Sequence, residues 1–149
     1  MRVEHEILVH APRETVWAVT VDVLRWPEWT PTVRSARALD EGPFGIGRRF
    51  ALKQPFQPET IWEVTACTSG ESFTWETRGA KQLMRATHRL EAHEQGTRNT
   101  LVLEAPGIAG RLRQAIARFF IAKALAKENA GLGASQGPGR SSPAPALRC

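Results

Sequence analysis

From Val33 to Glu104 the chain is cut into short runs rich in β-branched, aromatic and leucine residues. The cuts are turn signals at Glu41-Gly42-Pro43, Gln57-Pro58, Ser69-Gly70, Arg78-Gly79 and Gln95-Gly96. The runs read as strands near Val33 to Leu39, Arg48 to Gln54, Thr60 to Cys67, Ser72 to Thr77, Met84 to Ala92 and Arg98 to Glu104. Val3 to His10 makes a seventh. Strands joined by loops this short pair antiparallel, because a parallel pair needs a crossover of a dozen or more residues. A crossover of that length separates only the first two strands. The expected class is α+β, built on a seven-stranded antiparallel sheet.

The crossover is APRETVWAVTVDVLRWPEWTPTV, Ala11 to Val33, which holds three tryptophans and three prolines. Pro12 has the fixed φ that a first helical turn tolerates, and Arg13 to Leu24 place Val16, Trp17, Thr20, Val23 and Leu24 at helical spacing. The residue before a proline is pushed toward extended backbone, so the helix is expected to end before Pro27, with Pro31 repeating the restriction. Trp26 and Trp29 then sit on a short, stiff segment expected to act as a lid. Beyond Glu104, Ile108 to about Ala130 reads as one long helix, with Ile108, Leu112, Ala115, Ile116, Phe119 and Ala126 on one stripe. Lys123 falls about 20° from Leu112 on that stripe, where an ammonium must pair, snorkel or line a wet cavity.

At 149 residues and 42% hydrophobic composition, the chain suits a single domain, expected over 1–132. The remainder, 133–149, is dominated by Gly, Pro, Ser and Ala and is expected to be disordered. No apolar run approaches the length of a signal or a membrane span, so the expected location is cytoplasmic. Cys67 and Cys149 offer neither a disulfide framework nor a CxxC motif, and no role is expected of either.

The net charge of +5 invites a nucleic-acid reading, but between Val33 and Glu104 ten Lys and Arg alternate with nine Asp and Glu. The excess lies at Arg111, Arg113, Arg118, Lys123 and Lys127, on the solvated flanks of the last helix, and at Arg140 and Arg148. No helix-turn-helix, zinc-knuckle or RRM-like signature accompanies it, so no nucleic-acid partner is expected. GxSxG, HExxH and P-loop motifs are missing, as are paired acids on one face and any metal-ligand cluster. No metal and no cofactor are expected. Asp22, at the junction of helix and lid, is expected to cap the following turn.

Alternation names the buried face of the sheet. Phe50 and Leu52, Trp62 and Val64, Phe73 and Trp75, and Leu101 and Leu103 each share a parity, while Arg49, Lys53, Glu63, Thr74 and Glu76 take the other. Wide aromatic side chains facing a single helix pack with difficulty, and gaps lined by aromatics with few polar groups suit small molecules. His88 lies on the apolar parity of Met84, Ala86 and Leu90, and is the chief polar candidate, either as a buried structural histidine or as a general acid/base, since an unperturbed imidazole titrates near neutrality. Thr60, Thr77, Gln54 and Asn99 extend the inner faces toward a rim.

The pieces APRETVWAVTVDVLRWPEWTPTV, GIGRRFALKQP, IWEVTACTSGESFTWETRG and THRLEAHEQGTRNTLVLEAPG, in that order and ahead of a single terminal helix, resemble the SRPBCC (START-like) superfamily, in particular its polyketide cyclase/dehydrase-type branch. The resemblance spans residues 3 to 132. It implies a helix-grip, START/Bet v 1-like fold, with a curved sheet around the long C-terminal helix and an apolar cavity between them. Two departures stand out: Leu132 is followed by Gly133 where the family has a lysine, and a low-complexity tail is appended. The resulting expectation is a module that binds a small hydrophobic or aromatic, lipid- or polyketide-like molecule, as carrier or sensor, with no stable membrane insertion. The alternative is a polyketide cyclase or dehydratase using the same cavity, with His88 moving the proton. The expected ligand-binding residues are Trp26, Trp29, Phe50, Trp62, Phe73, Trp75, His88, Leu101, Leu103, Phe119 and Lys123.

Overall fold

Seven strands form one sheet in the order β1-β7-β6-β5-β4-β3-β2, every neighbouring pair antiparallel. They are β1 (Arg2–Val9), β2 (Ser35–Ala38), β3 (Arg49–Lys53), β4 (Thr60–Thr68), β5 (Ser72–Arg78), β6 (Arg85–His93) and β7 (Gly96–Glu104). The structure is a computed structural model that describes residues 2–30, 33–54, 58–80, 83–106 and 149. The expected long helix over 108–130, with Phe119 and Lys123, and all of the expected tail but Cys149 lie outside the described residues. Six of the strands follow one another as hairpins, from β2 at one edge to β7, and the first strand closes the far side against β7. The crossover between β1 and β2 therefore spans from one edge of the sheet to the other.

The hairpins turn where glycine allows it. Gly42, Gly70, Gly79 and Gly96 each hold positive φ at an expected turn, a conformation that side chains with a Cβ rarely adopt. Gly96 is also a close-approach position, since a Cβ there would lie 2.1 Å from the carbonyl oxygen of Val9. That contact brings the β6–β7 turn against the end of β1, where the Thr97 hydroxyl also donates to the Ala11 carbonyl at 2.8 Å.

The first helix ends before Pro27 as expected, but the segment that follows is helical where extended backbone was expected at Trp26. Helix α1 (Arg13–Val21) ends at Asp22, a single 3-10 turn follows at Val23–Arg25, and a four-residue helix α2 (Trp26–Trp29) then begins with proline in its first turn. Pro27 starts helical structure there, since a first-turn residue needs no N–H partner. Leu24, expected on the apolar face, is 50% exposed; it lies in the 3-10 turn, where the α-helical spacing that placed it no longer holds. Asp22 makes no side-chain cap bond, contrary to expectation; burial is the main cause that raises its carboxyl above the usual range.

One face of the sheet is charged and the other apolar. The outer face carries a lattice of ion pairs such as Arg85–Glu76 at 2.6 Å and Arg78–Glu63 at 3.3 Å. These are solvent-exposed pairs and contribute little stability individually. The inner face supplies the core, and α1 and α2 pack on it through Val16, Trp17, Val21 and Trp26.

Alternation breaks once, at a bulge in β4 between Val64 and Ala66. The extra residue restores the inner parity at Cys67, which pairs across with Phe73. Cys67 is bonded there to Cys149, their Cα atoms 6.1 Å apart and their positions 82 apart in the chain. This corrects the expectation that the two cysteines offer no disulfide. A pair so distant leaves no spacing signal, and the bulge that turns Cys67 inward is silent in the residue pattern.

Candidate functional site

Strand register lays the inner face out in rows. His88 on β6 lies opposite Leu101 on β7 and Phe73 on β5, and Phe73 lies opposite Cys67. In the next row Trp75 is opposite Ala86 and Val64, and Ala86 is opposite Leu103. In the third, Trp62 stands between Thr77 and Phe50. Among the described strand residues, no Asp, Glu, Lys or Arg falls on this parity.

Trp75 is the centre of the arrangement. Its ring centroid lies 5.3 Å from Trp26, 5.3 Å from Trp62, 5.4 Å from Phe73 and 5.9 Å from His88. Most of these pairs meet edge to face, the geometry that aromatic quadrupoles favour. Besides Trp26, two more rings approach the face from outside the sheet. Trp17 of α1 meets Phe73 at 6.2 Å, and Phe44 meets Phe73 at 4.9 Å. Phe44 was not among the expected site residues. It belongs to the Glu41-to-Gly47 turn segment, whose glycines and proline mark a loop without revealing that its single aromatic side chain folds back into the core.

Three rings among the described residues pack against His88. It stacks on Phe73 at 4.6 Å with planes 14° apart, and Trp26 lies over it at 5.4 Å. Burial alone pushes the imidazole from its ordinary 6.5 down to about 3, so it is neutral at physiological pH. The expectation of a group titrating near neutrality gives way to that of a neutral donor and acceptor. A stability consequence follows. The unfolded chain protonates His88 below about pH 6.5 and the folded chain does not until about pH 3. The folded state therefore loses about 1.4 kcal/mol per pH unit across that window, and nothing above it. Urea midpoints at pH 7.5 and pH 5 should show wild type losing about 2 kcal/mol more than His88→Gln. An equal loss in both proteins would mean that His88 titrates normally.

Trp26 and Trp29 divide in character. Trp26 is buried, touches Trp75 and His88, and donates its indole N–H to the Thr20 carbonyl at 3.1 Å. Trp29 is half-buried and meets Trp26 edge to face at 5.9 Å. Thr60, Thr77 and Asn99, expected near a rim, are buried, and Gln54 is half-buried. Asn99 lies mid-strand between Ile7 and Leu90, well inside the sheet. Phe50, Trp62 and Leu101 are buried and Leu103 is partly so.

Residues 1–136 match the family described as polyketide cyclase/dehydrase and lipid transport. The chain belongs to that family. Family membership and fold agree with the START-like resemblance of the sequence. A START superfamily protein from Mycobacterium smegmatis superposes with a TM-score of 0.74 at 14% identity, covering 90% of this chain and 95% of the other. TTHA0849 from Thermus thermophilus gives 0.75 at 17% identity, over 91% and 97% of the two chains. Ara h 8.0201 gives 0.67 at 16% identity, over 91% and 97%. No curated protein matches the chain. Among the described residues, no helix is long and apolar enough to cross a membrane, and no group of three or more His, Cys, Asp or Glu is placed to hold a metal ion. The family and fold support a START-like protein of the hydrophobic-ligand-binding type.

Proposed function

We propose that this family member binds a small neutral hydrophobic or aromatic molecule against the inner face of its sheet, as a carrier or sensor. The observation that carries the proposal is His88: a buried imidazole kept neutral among rings, on a face without a carboxylate among the described strand residues to orient it as a base. A proton-transfer residue needs a pKa near the working pH, and this one lies far below it. As a neutral group it orients a ligand carbonyl or hydroxyl while the rings supply contact area. Cyclase or dehydratase chemistry on the same face draws its support from the family description.

Titration with N-phenyl-1-naphthylamine, an uncharged apolar fluorophore, tests the proposal. Saturable one-to-one binding is expected, with the tryptophan response reduced in Trp26→Phe because Trp26 touches both Trp75 and His88. His88→Gln should change affinity by less than about tenfold, the worth of one neutral hydrogen bond. Non-saturable binding in wild type would contradict the proposal. A polyketide-type substrate whose turnover falls roughly 10²-fold or more in His88→Gln would instead establish the enzyme.

A further inference from the structure

Among the described residues, the indole Nε1 of Trp62 on the inner face has no hydrogen-bond partner, in a side chain that is 5% exposed. A buried donor left unmade costs about 1–3 kcal/mol, and native interiors satisfy nearly all such groups. Trp26 shows the ordinary outcome in the same cluster, its indole donating to Thr20. At the Trp62 end of the face the two threonines are already engaged. Thr60 donates its hydroxyl to the Pro58 carbonyl at 3.0 Å, and Thr77 accepts the Met84 N–H at 2.9 Å, each tying down a strand end. The indole N–H is thus a donor with a neighbouring ring, Trp75, but no acceptor among the described residues.

Resting on the binding reading above, the geometry points to Trp62 as the residue that selects an oxygen acceptor on the ligand. The ligand is then a neutral hydrophobe whose apolar body lies along Trp75 and whose carbonyl or hydroxyl oxygen accepts from Trp62 Nε1. A carboxylate is a poor match, because no described strand residue on this face carries a positive charge to compensate its desolvation.

Two probes of matched shape test this, 2-acetylnaphthalene with a carbonyl oxygen and 2-isopropylnaphthalene without one. Their dissociation constants are compared by calorimetry in wild type, Trp62→Phe and Trp75→Phe, with thermal melts confirming that each variant folds. Trp62→Phe should weaken the ketone roughly three- to tenfold more than the hydrocarbon, the value of one net hydrogen bond. Trp75→Phe should weaken both alike. Replacing Trp62 by benzothienylalanine, whose sulfur occupies the N–H position, should reproduce the Trp62→Phe pattern with the ring bulk kept. The indole N–H proton resonance of Trp62 should also move downfield with the ketone alone. Equal losses for the two probes in both Trp62 replacements, as when a water occupies the donor, would overturn the inference while leaving the binding proposal intact. Failure of both probes to bind wild type would overturn the binding proposal and this inference with it.

Discussion

Trp75→Ala is expected to lower the unfolding free energy by about 3–5 kcal/mol, the range for deleting a large buried ring. Trp75 is 2% exposed and its ring meets Trp26, Phe50, Trp62, Phe73 and His88, so truncation leaves a void bordered by five rings from five elements. Those elements are strands and a short helix, whose backbones are fixed by the ladder and cannot collapse inward cheaply. The melting temperature should fall by about 10–20 °C. Trp75→Phe, which keeps a ring in the same place, should lose much less. Thermal melts of the three proteins check the ordering. A Trp75→Ala protein within about 1 kcal/mol of wild type would show that the inner face is loosely packed around this side chain.

Gly96→Ala acts through backbone and should be comparably severe, at about 3–5 kcal/mol. Its φ of +141° is a conformation for which a Cβ is strained wherever the space lies. The space is also closed: the new Cβ would meet the Val9 carbonyl at 2.1 Å and the His10 Cα at 3.0 Å, both backbone atoms. Relief requires the β6–β7 turn to move away from the end of β1. Gly70→Ala is the control, since its φ is +76° but nothing lies within 4 Å of the added Cβ. It should cost only the conformational term, about 1 kcal/mol. Urea midpoints that rank Gly70→Ala below Gly96→Ala in stability would contradict this account of the turn.

The sheet was legible because its signals are local. Glycine at Gly42, Gly70, Gly79 and Gly96 fixes the turns, and alternation between them sorts Phe50, Trp62, Phe73 and Trp75 from Arg49, Glu63, Thr74 and Glu76. What escaped the residue pattern depends on contacts between distant segments. Phe44 reads as loop and packs as core, because the turn that carries it folds over Phe73. Cys67 faces inward only through the β4 bulge, and its partner is 82 residues away. Pro27 signals a break, yet the residue pattern does not show that it also opens the short helix α2. His88 was found by parity alone, but its neutral state needed the burial that Phe73, Trp26 and Trp75 impose together. The unmade hydrogen bond of Trp62 was invisible for the same reason, since an unpartnered atom is a property of its surroundings and not of its residue type.

Native mass spectrometry of the protein purified from its own host bears most directly on the claim that the inner face holds a small molecule. A retained, uncharged, oxygen-containing hydrophobe of one-to-one stoichiometry, released on denaturation and depleted in Trp62→Phe, is the predicted result. Apoprotein that neither retains a molecule nor takes one up from a lipid extract of that host would contradict it.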